Sequence, residues 1–222
     1  MIIVCLGDSL TSGFPGYSPG INGISDGYGN PQSQYEYWLK KFCLEYLEKD
    51  LGSLEDSIIE NLQFINKGIP GELTQNLLNR IHHDVINRKP KPHYSIILGG
   101  SNDLGWGIPS KTILNNIQQL HKISREHNII SIGGTIPPIR GELTHSNYKE
   151  KKGMINQNLK THFNAQKIPF ADLFSGMSNE KGNLRKEYAY PDGLHFTVEG
   201  YKKMGKLLFQ EVVKNILKME FF

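Results

Sequence analysis

Short apolar runs rich in β-branched residues alternate along the chain with longer segments whose apolar positions recur every three or four residues. The runs Ile2–Leu6, Leu62–Asn66, Tyr94–Leu98, Ile129–Gly133 and Ile168–Leu173 predict five strands. Between them, Gln34–Lys49, Leu73–Ile86, Ser110–His127 and Tyr148–Ala165 predict helices. A last helix runs from Val198 to Leu217, with Val198, Tyr201, Met204, Leu208, Val212 and Leu217 forming one stripe and Thr197 as N-cap. Alternation of this kind predicts a parallel sheet covered on both faces, a three-layer α/β/α architecture. No internal repeat or linker interrupts it, so one domain over residues 1–222 is expected. The stretch Gly13–Ser33, rich in Gly, Pro, Tyr and Asn, breaks the rhythm, and a loop of that length is expected to wall a site.

Against this pattern, polar residues at strand ends stand out. Gly7-Asp8-Ser9-Leu10 follows the first apolar run, and open α/β sheets place their reacting groups at that edge. A serine hydroxyl is a weak nucleophile until a neighbouring base takes its proton. Near the other end stands Asp192-Gly193-Leu194-His195, in which His195 suits the base and Asp192 its orienting partner. Pro191 and Gly193 mark that stretch as a tight loop. Donors for a developing oxyanion are available at the same sheet edge. Asn102 follows the third strand in Leu98-Gly99-Gly100-Ser101-Asn102-Asp103, and Gly71 opens the helix after the second. Taken singly, Ser9 reads as a cap, Asp8 and Asp192 as turn formers, and Gly71 as a turn glycine.

Taken together, these blocks resemble the SGNH hydrolases, the GDSL family of esterases and lipases. Gly7-Asp8-Ser9-Leu10 matches the family's nucleophile block and Gly71 its glycine oxyanion donor. Gly100-Ser101-Asn102-Asp103 matches its Gly-x-Asn-Asp block, and Asp192-Gly193-Leu194-His195 its Asp-x-x-His block, all in the family's order. The resemblance implies a flavodoxin-like sheet of five parallel strands in the order 2-1-3-4-5. It implies a triad of Ser9, Asp192 and His195, an oxyanion hole from Ser9, Gly71 and Asn102, and no cofactor or metal. The expected activity is cleavage of carboxylic esters, short-chain acyl or acetyl esters foremost. An acyltransferase, a thioesterase or a lysophospholipase would use the same residues, and a silent glycan- or lipid-binding module would keep the fold alone. The Gly13–Ser33 segment matches the family least, which leaves the substrate open.

Leu104, Trp106, Ile136 and Pro137 follow the third and fourth strands and are the candidate substrate walls. Two other motifs fail on context. Gly23-Ile24-Ser25-Asp26-Gly27 has the Gly-x-Ser-x-Gly spacing but no strand before it. Gly200 to Lys206 has phosphate-loop glycines, yet Leu207 replaces the hydroxyl residue and the segment lies in the last helix.

Composition narrows the partners. A net charge of +3 is too mild to point to nucleic acid. The lysines at 149, 151, 152, 202, 203 and 206 read as solvated helix faces. Cys5 and Cys43 fall in a strand and a helix and read as buried free thiols. No stretch approaches the roughly 20 apolar residues of a membrane span, and the first strand begins at Ile2 with no leader before it, so a cytoplasmic location is expected. The partner expected is a small ester, with the oligomeric state open. The apolar tail Met219–Phe222 is read as docking onto the domain, with a dimer contact as the other option.

Overall fold

The computed structural model describes residues 1–20, 27–51, 56–140 and 147–221. Strand β1 (Ile2–Gly7) leads into the single helical turn α1 (Ser9–Ser12), and a small hairpin of β2 (Tyr17–Ser18) and β3 (Tyr28–Gly29) follows. Then come α2 (Tyr35–Leu51), α3 (Asp56–Asn61), β4 (Gln63–Gly68), α4 (Thr74–Ile81), β5 (Tyr94–Ile97), α5 (Ser101–Gly105) and α6 (Ser110–Glu126). The chain finishes with β6 (Ile130–Gly134), α7 (Tyr148–Ala165), β7 (Phe170–Ala171), α8 (Leu173–Met177), α9 (Val198–Leu208) and α10 (Lys214–Phe221).

The large sheet is parallel, in the order β4-β1-β5-β6-β7. Counting its own five strands alone gives 2-1-3-4-5; the hairpin inside the Gly13–Ser33 segment is what shifts the chain numbering. Every residue of β1 is buried, because alternate side chains enter two different cores. Ile3 and Cys5 join the cluster built on α2, α8 and α9, while Val4 and Leu6 meet Leu77 of α4 and Leu120 of α6. A third cluster joins α6 and α7 through Ile113, Ile117, Ile155, Leu159 and Phe163. Helices therefore cover both faces, and β1 occupies a central position with its C-terminal end between those of β4 and β5.

The predicted strands are present with shifted ends, and the fifth is cut from six residues to two. Lys167 takes a left-handed backbone at φ +54°, Pro169 has no N–H to donate, and Asp172 already caps α8 by accepting from the Ser175 N–H at 3.2 Å. The final helix is continuous to Phe221 but widens to a π turn over Phe209–Val213. The stripe explains it: Tyr201, Met204, Leu208 and Val212 are spaced by three and four, but Leu217 lies five beyond Val212. A π turn restores its phase, so all five remain buried. Thr197 caps α9 as expected, through the Gly200 N–H at 3.2 Å. The phosphate-loop lookalike Gly200–Lys206 lies wholly within that helix.

Lys152 overturns an expectation. Lys149 and Lys206 are exposed, but Lys152 is only 2% exposed, because its ammonium donates to the Pro137 carbonyl at 2.7 Å and lies 4.8 Å from the Tyr148 ring centroid. A carbonyl left by the proline-rich exit of β6 supplies the partner that makes burial tolerable. Burial pulls its pKa down to about 7. Cys5 and Cys43 are buried free thiols. In the tail, the Tyr94 hydroxyl donates to Glu220 at 2.6 Å and Phe221 packs on the core, while Met219 is exposed and Phe222 lies outside the described residues. Among the described residues no helix is long and apolar enough to cross a membrane.

Candidate active site

Ser9 is the first residue of α1, at the carboxyl end of β1. Asp8 is the N-cap, its Oδ1 accepting from the Leu10 N–H at 2.9 Å, which turns the chain sharply out of the strand. Burial lifts the Asp8 pKa to about 7, with the Leu10 N–H pulling the other way. The Ser9 N–H, as the first of a helix, has no intrahelical acceptor. The hydroxyl lies 3.0 Å from Nε2 of His195, a residue 186 positions away in sequence.

The loop that brings His195 there is tied largely to itself. Asp192 Oδ2 accepts from His195 Nδ1 at 2.6 Å, while Oδ1 accepts the Leu194 and His195 N–H groups, each at 2.9 Å. Partial burial would raise the Asp192 pKa, but the imidazole and these two N–H groups hold it below the usual carboxylate value. With the carboxylate accepting at Nδ1, the imidazole proton belongs there and the Nε2 lone pair faces Ser9. Gly193 permits the turn: its φ is +72°, and a Cβ there would sit 1.7 Å from the Arg140 carbonyl oxygen. The Arg140 N–H donates to the Gly193 carbonyl at 2.6 Å, pinning this loop to the exit of β6.

Gly71 and Asn102 lie just beyond the carboxyl ends of β4 and β5, the strands flanking β1, Gly71 in the turn before α4 and Asn102 in α5. Gly71 has φ +82°, with no heavy atom within 4 Å of where its Cβ would be, so an open space lies beside it. The Asn102 amide donates one proton to the Glu72 carbonyl at 2.9 Å, which ties the two turns together and leaves its second proton for another acceptor. Asp103 locks them. Its buried carboxyl group accepts the Thr74 hydroxyl at 2.6 Å and the Thr74 N–H at 2.9 Å, and Asn116 completes the network by donating to the Thr74 hydroxyl at 3.0 Å. Arg80 joins this assembly to β1, donating to the Gly7 carbonyl at 2.9 Å and to Glu72 at 2.7 Å.

Arg80, Asp103 and Phe14 were not singled out from the sequence as site residues. The Phe14 ring meets the His195 imidazole edge to face at 4.8 Å between centroids, held by the Tyr201 hydroxyl donating to the Phe14 carbonyl at 2.7 Å. Phe14 lies in the Gly13–Ser33 segment, so the start of that loop packs against the His195 ring. Its Gly-x-Ser-x-Gly lookalike falls outside the described residues except at Gly27.

The four candidate substrate walls divide. Leu104 and Ile136 are buried in one apolar cluster that Leu194 joins, beside the His195 loop. Pro137 is buried too, and Asn156 grips Ile136 at both its N–H and its carbonyl, at 2.8 and 2.9 Å. Trp106 stands apart, 78% exposed. Among the described residues no three His, Cys, Asp or Glu side chains converge as metal ligands.

Solved structures of the same fold include an acetylxylan esterase from Geobacillus stearothermophilus, 19% identical, with a TM-score of 0.69 over 95% of this chain and 93% of that one. A member of the lipolytic protein G-D-S-L family from Veillonella parvula is 18% identical, with a TM-score of 0.68 over 96% and 99%. A lipase/acylhydrolase from Enterococcus faecalis is 23% identical, with a TM-score of 0.67 over 96% of each chain. No curated protein matches the chain. The model of the GDSL-like lipase/acylhydrolase family matches residues 5–203, from within β1 into α9, and the chain belongs to that family of hydrolases.

Proposed function

We propose that the protein is a serine esterase that cleaves short-chain carboxylic esters, acetyl esters foremost, through an acyl-enzyme on Ser9. The observation that carries this reading is the unbroken run Ser9 Oγ to His195 Nε2 at 3.0 Å and His195 Nδ1 to Asp192 at 2.6 Å, beside the Asn102 amide and the open Gly71 turn. His195 takes the Ser9 proton as Oγ attacks the ester carbonyl. The oxygen that gains charge is held by the Ser9 N–H, the Gly71 N–H and the free proton of the Asn102 amide. Asp192 stabilises the imidazolium, which then gives its proton to the departing alcohol. Water, deprotonated by the same imidazole, attacks the acyl-Ser9 carbonyl; the acyl–Oγ bond then breaks and the imidazolium returns its proton to Ser9 Oγ as the acid leaves.

Two features favour a small acyl group. Leu104 and Ile136, the apolar residues beside the loop, are already packed against their neighbours rather than open to a long chain. An acetylxylan esterase is among the proteins of this fold.

The test is labelling with a fluorophosphonate, read by intact mass and peptide mapping, alongside hydrolysis of 4-nitrophenyl acetate. One adduct on Ser9, absent in Ser9→Ala, with turnover lowered about 10⁴-fold or more in that variant, is the expected result. An adduct on another residue, or wild-type turnover by Ser9→Ala, overturns the reading.

A further inference from the structure

We infer that the basic cleft beside the His195 loop is a subsite for an anionic group, phosphate or carboxylate, carried on the alcohol side of the ester; this rests on the proposed esterase reading. The cleft has a volume of about 820 Å³ and is lined by Arg140, Lys181, Arg185 and Lys186, with Glu180 and Glu187 as its acidic members. Four cations against two carboxylates leave a net charge of two. Among the described residues, none of the four cations forms an ion pair.

The frame holding these side chains is ordered. The Arg185 Nε donates to the Ser178 carbonyl at 3.0 Å, and Asn179 Oδ1 accepts the N–H groups of Lys181 and Asn183 at 3.0 and 3.1 Å. The Leu184 N–H donates to the Ile139 carbonyl at 2.9 Å, joining this turn to the strand exit that carries Arg140.

Position supplies the role. One wall of the cleft reaches the His195 loop through the Arg140 N–H on the Gly193 carbonyl at 2.6 Å. The other reaches it through the Thr197 hydroxyl on the Glu187 carbonyl at 2.8 Å. The cleft is thus anchored two residues before and two residues after His195. Because His195 delivers the proton to the departing alcohol, the leaving group must sit against the imidazole, whose loop is tied to both walls of the cleft. The oxyanion donors occupy the other flank, at Gly71 and Asn102. An anionic substituent on an alcohol long enough to extend past this loop would meet the cations of the cleft.

Three esters of one acyl group separate charge from chemistry: 6-acetoxyhexan-1-ol, 6-acetoxyhexyl phosphate and 6-acetoxyhexanoate. At low ionic strength kcat/KM for at least one charged ester should exceed that of the neutral one by about tenfold. The ratio should shrink as salt is added, and should fall to about one in Arg140→Gln/Lys186→Gln. Preference for the phosphate, the carboxylate or both names the anion. Equal rates for all three esters, or a ratio unchanged in the double variant, overturns the proposal. If none of the three is hydrolysed, the esterase reading fails separately, and calorimetric titration with hexyl phosphate decides the cleft. Binding by wild type that is lost in the double variant upholds it, and no binding by wild type overturns it.

Discussion

The two flanks of Ser9 are built by different means. On the Gly71 and Asn102 flank, the donors hang on a buried network in which Asp103, Thr74, Asn116, Arg80 and the Gly7 carbonyl join β1, β4 and β5 across long stretches of sequence. On the His195 flank, the three hydrogen bonds of the Asp192 carboxylate all lie within Asp192–His195, and the Asp192 side chain is 41% exposed. One flank is stabilised by the fold, the other by its own turn. Electrostatic stabilisation of a charge that exists only briefly requires donors that do not reorganise, which suits the buried flank. On the proposed mechanism, a base that is protonated and deprotonated twice per turnover is better served by a partly solvated one.

The sharpest way to break this contrast is Asp192→Asn. Turnover of 4-nitrophenyl acetate should fall about 10⁴-fold, since the imidazole loses the partner that fixes its tautomer, while Tm moves by no more than a few degrees. Steady-state kinetics paired with calorimetry reads both. A drop of more than ten degrees would show the loop to be as structural as the network opposite.

Asn102→Ala comes next, with kcat lowered about 10²- to 10³-fold through loss of one oxyanion donor. KM should change little, and a fall confined to KM would argue against a role in the charged intermediate. On the same flank, Asp103→Ala should act mainly on stability. It strands the Thr74 N–H and hydroxyl, at about 3 kcal/mol by urea unfolding, with kcat reduced as a secondary effect. Full stability in that variant would mean the network does not hold the flank.

The smallest effect tests a residue outside both flanks. Lys152 has a folded-state pKa of about 7, below its ordinary value of 10.5. The unfolded chain therefore binds the proton more tightly, and the penalty for burying the charge grows as pH falls from about 10 to 7 and is complete below 7. Lys152→Met should stabilise the protein by about 2 kcal/mol near pH 6, after the loss of the Pro137 hydrogen bond, with the advantage fading toward pH 10. Urea unfolding at the two pH values reads the difference, and a constant advantage would mean the lysine is not buried as a cation.

The same contrast governs what was legible in the sequence. The His195 flank is a contiguous block, and the nucleophile and oxyanion positions sit at strand ends, so residue types and spacing sufficed to bring Ser9, Gly71, Asn102, Asp192 and His195 into view. Arg80 and Lys152 were not, because what ties Arg80 to β1 and what makes Lys152 burial tolerable are the backbone carbonyls of Gly7 and Pro137, which carry no mark in the sequence. Asp103 stands in the Gly100–Asp103 block, but its partner is a threonine 29 residues away that nothing local signals. In the fold, the doubly covered strands stood out as continuous apolar runs. The elements α1, α5 and α8 did not, since one turn of helix is too short to show a period. Strand β7 was overread because its apolar letters continue past Pro169 and Asp172, where backbone chemistry ends the ladder.

The hydrogen bond between Ser9 and His195 closes a loop of nearly the whole polypeptide. During synthesis the hydroxyl is made among the first residues and its base among the last. Until α9 docks on α2 and carries the Asp192–His195 turn into place, the serine is an ordinary alcohol with no partner to deprotonate it. On the proposed mechanism, reactivity is thereby a property of the finished fold, and a chain stalled before its final helix holds a nucleophile that cannot yet attack anything.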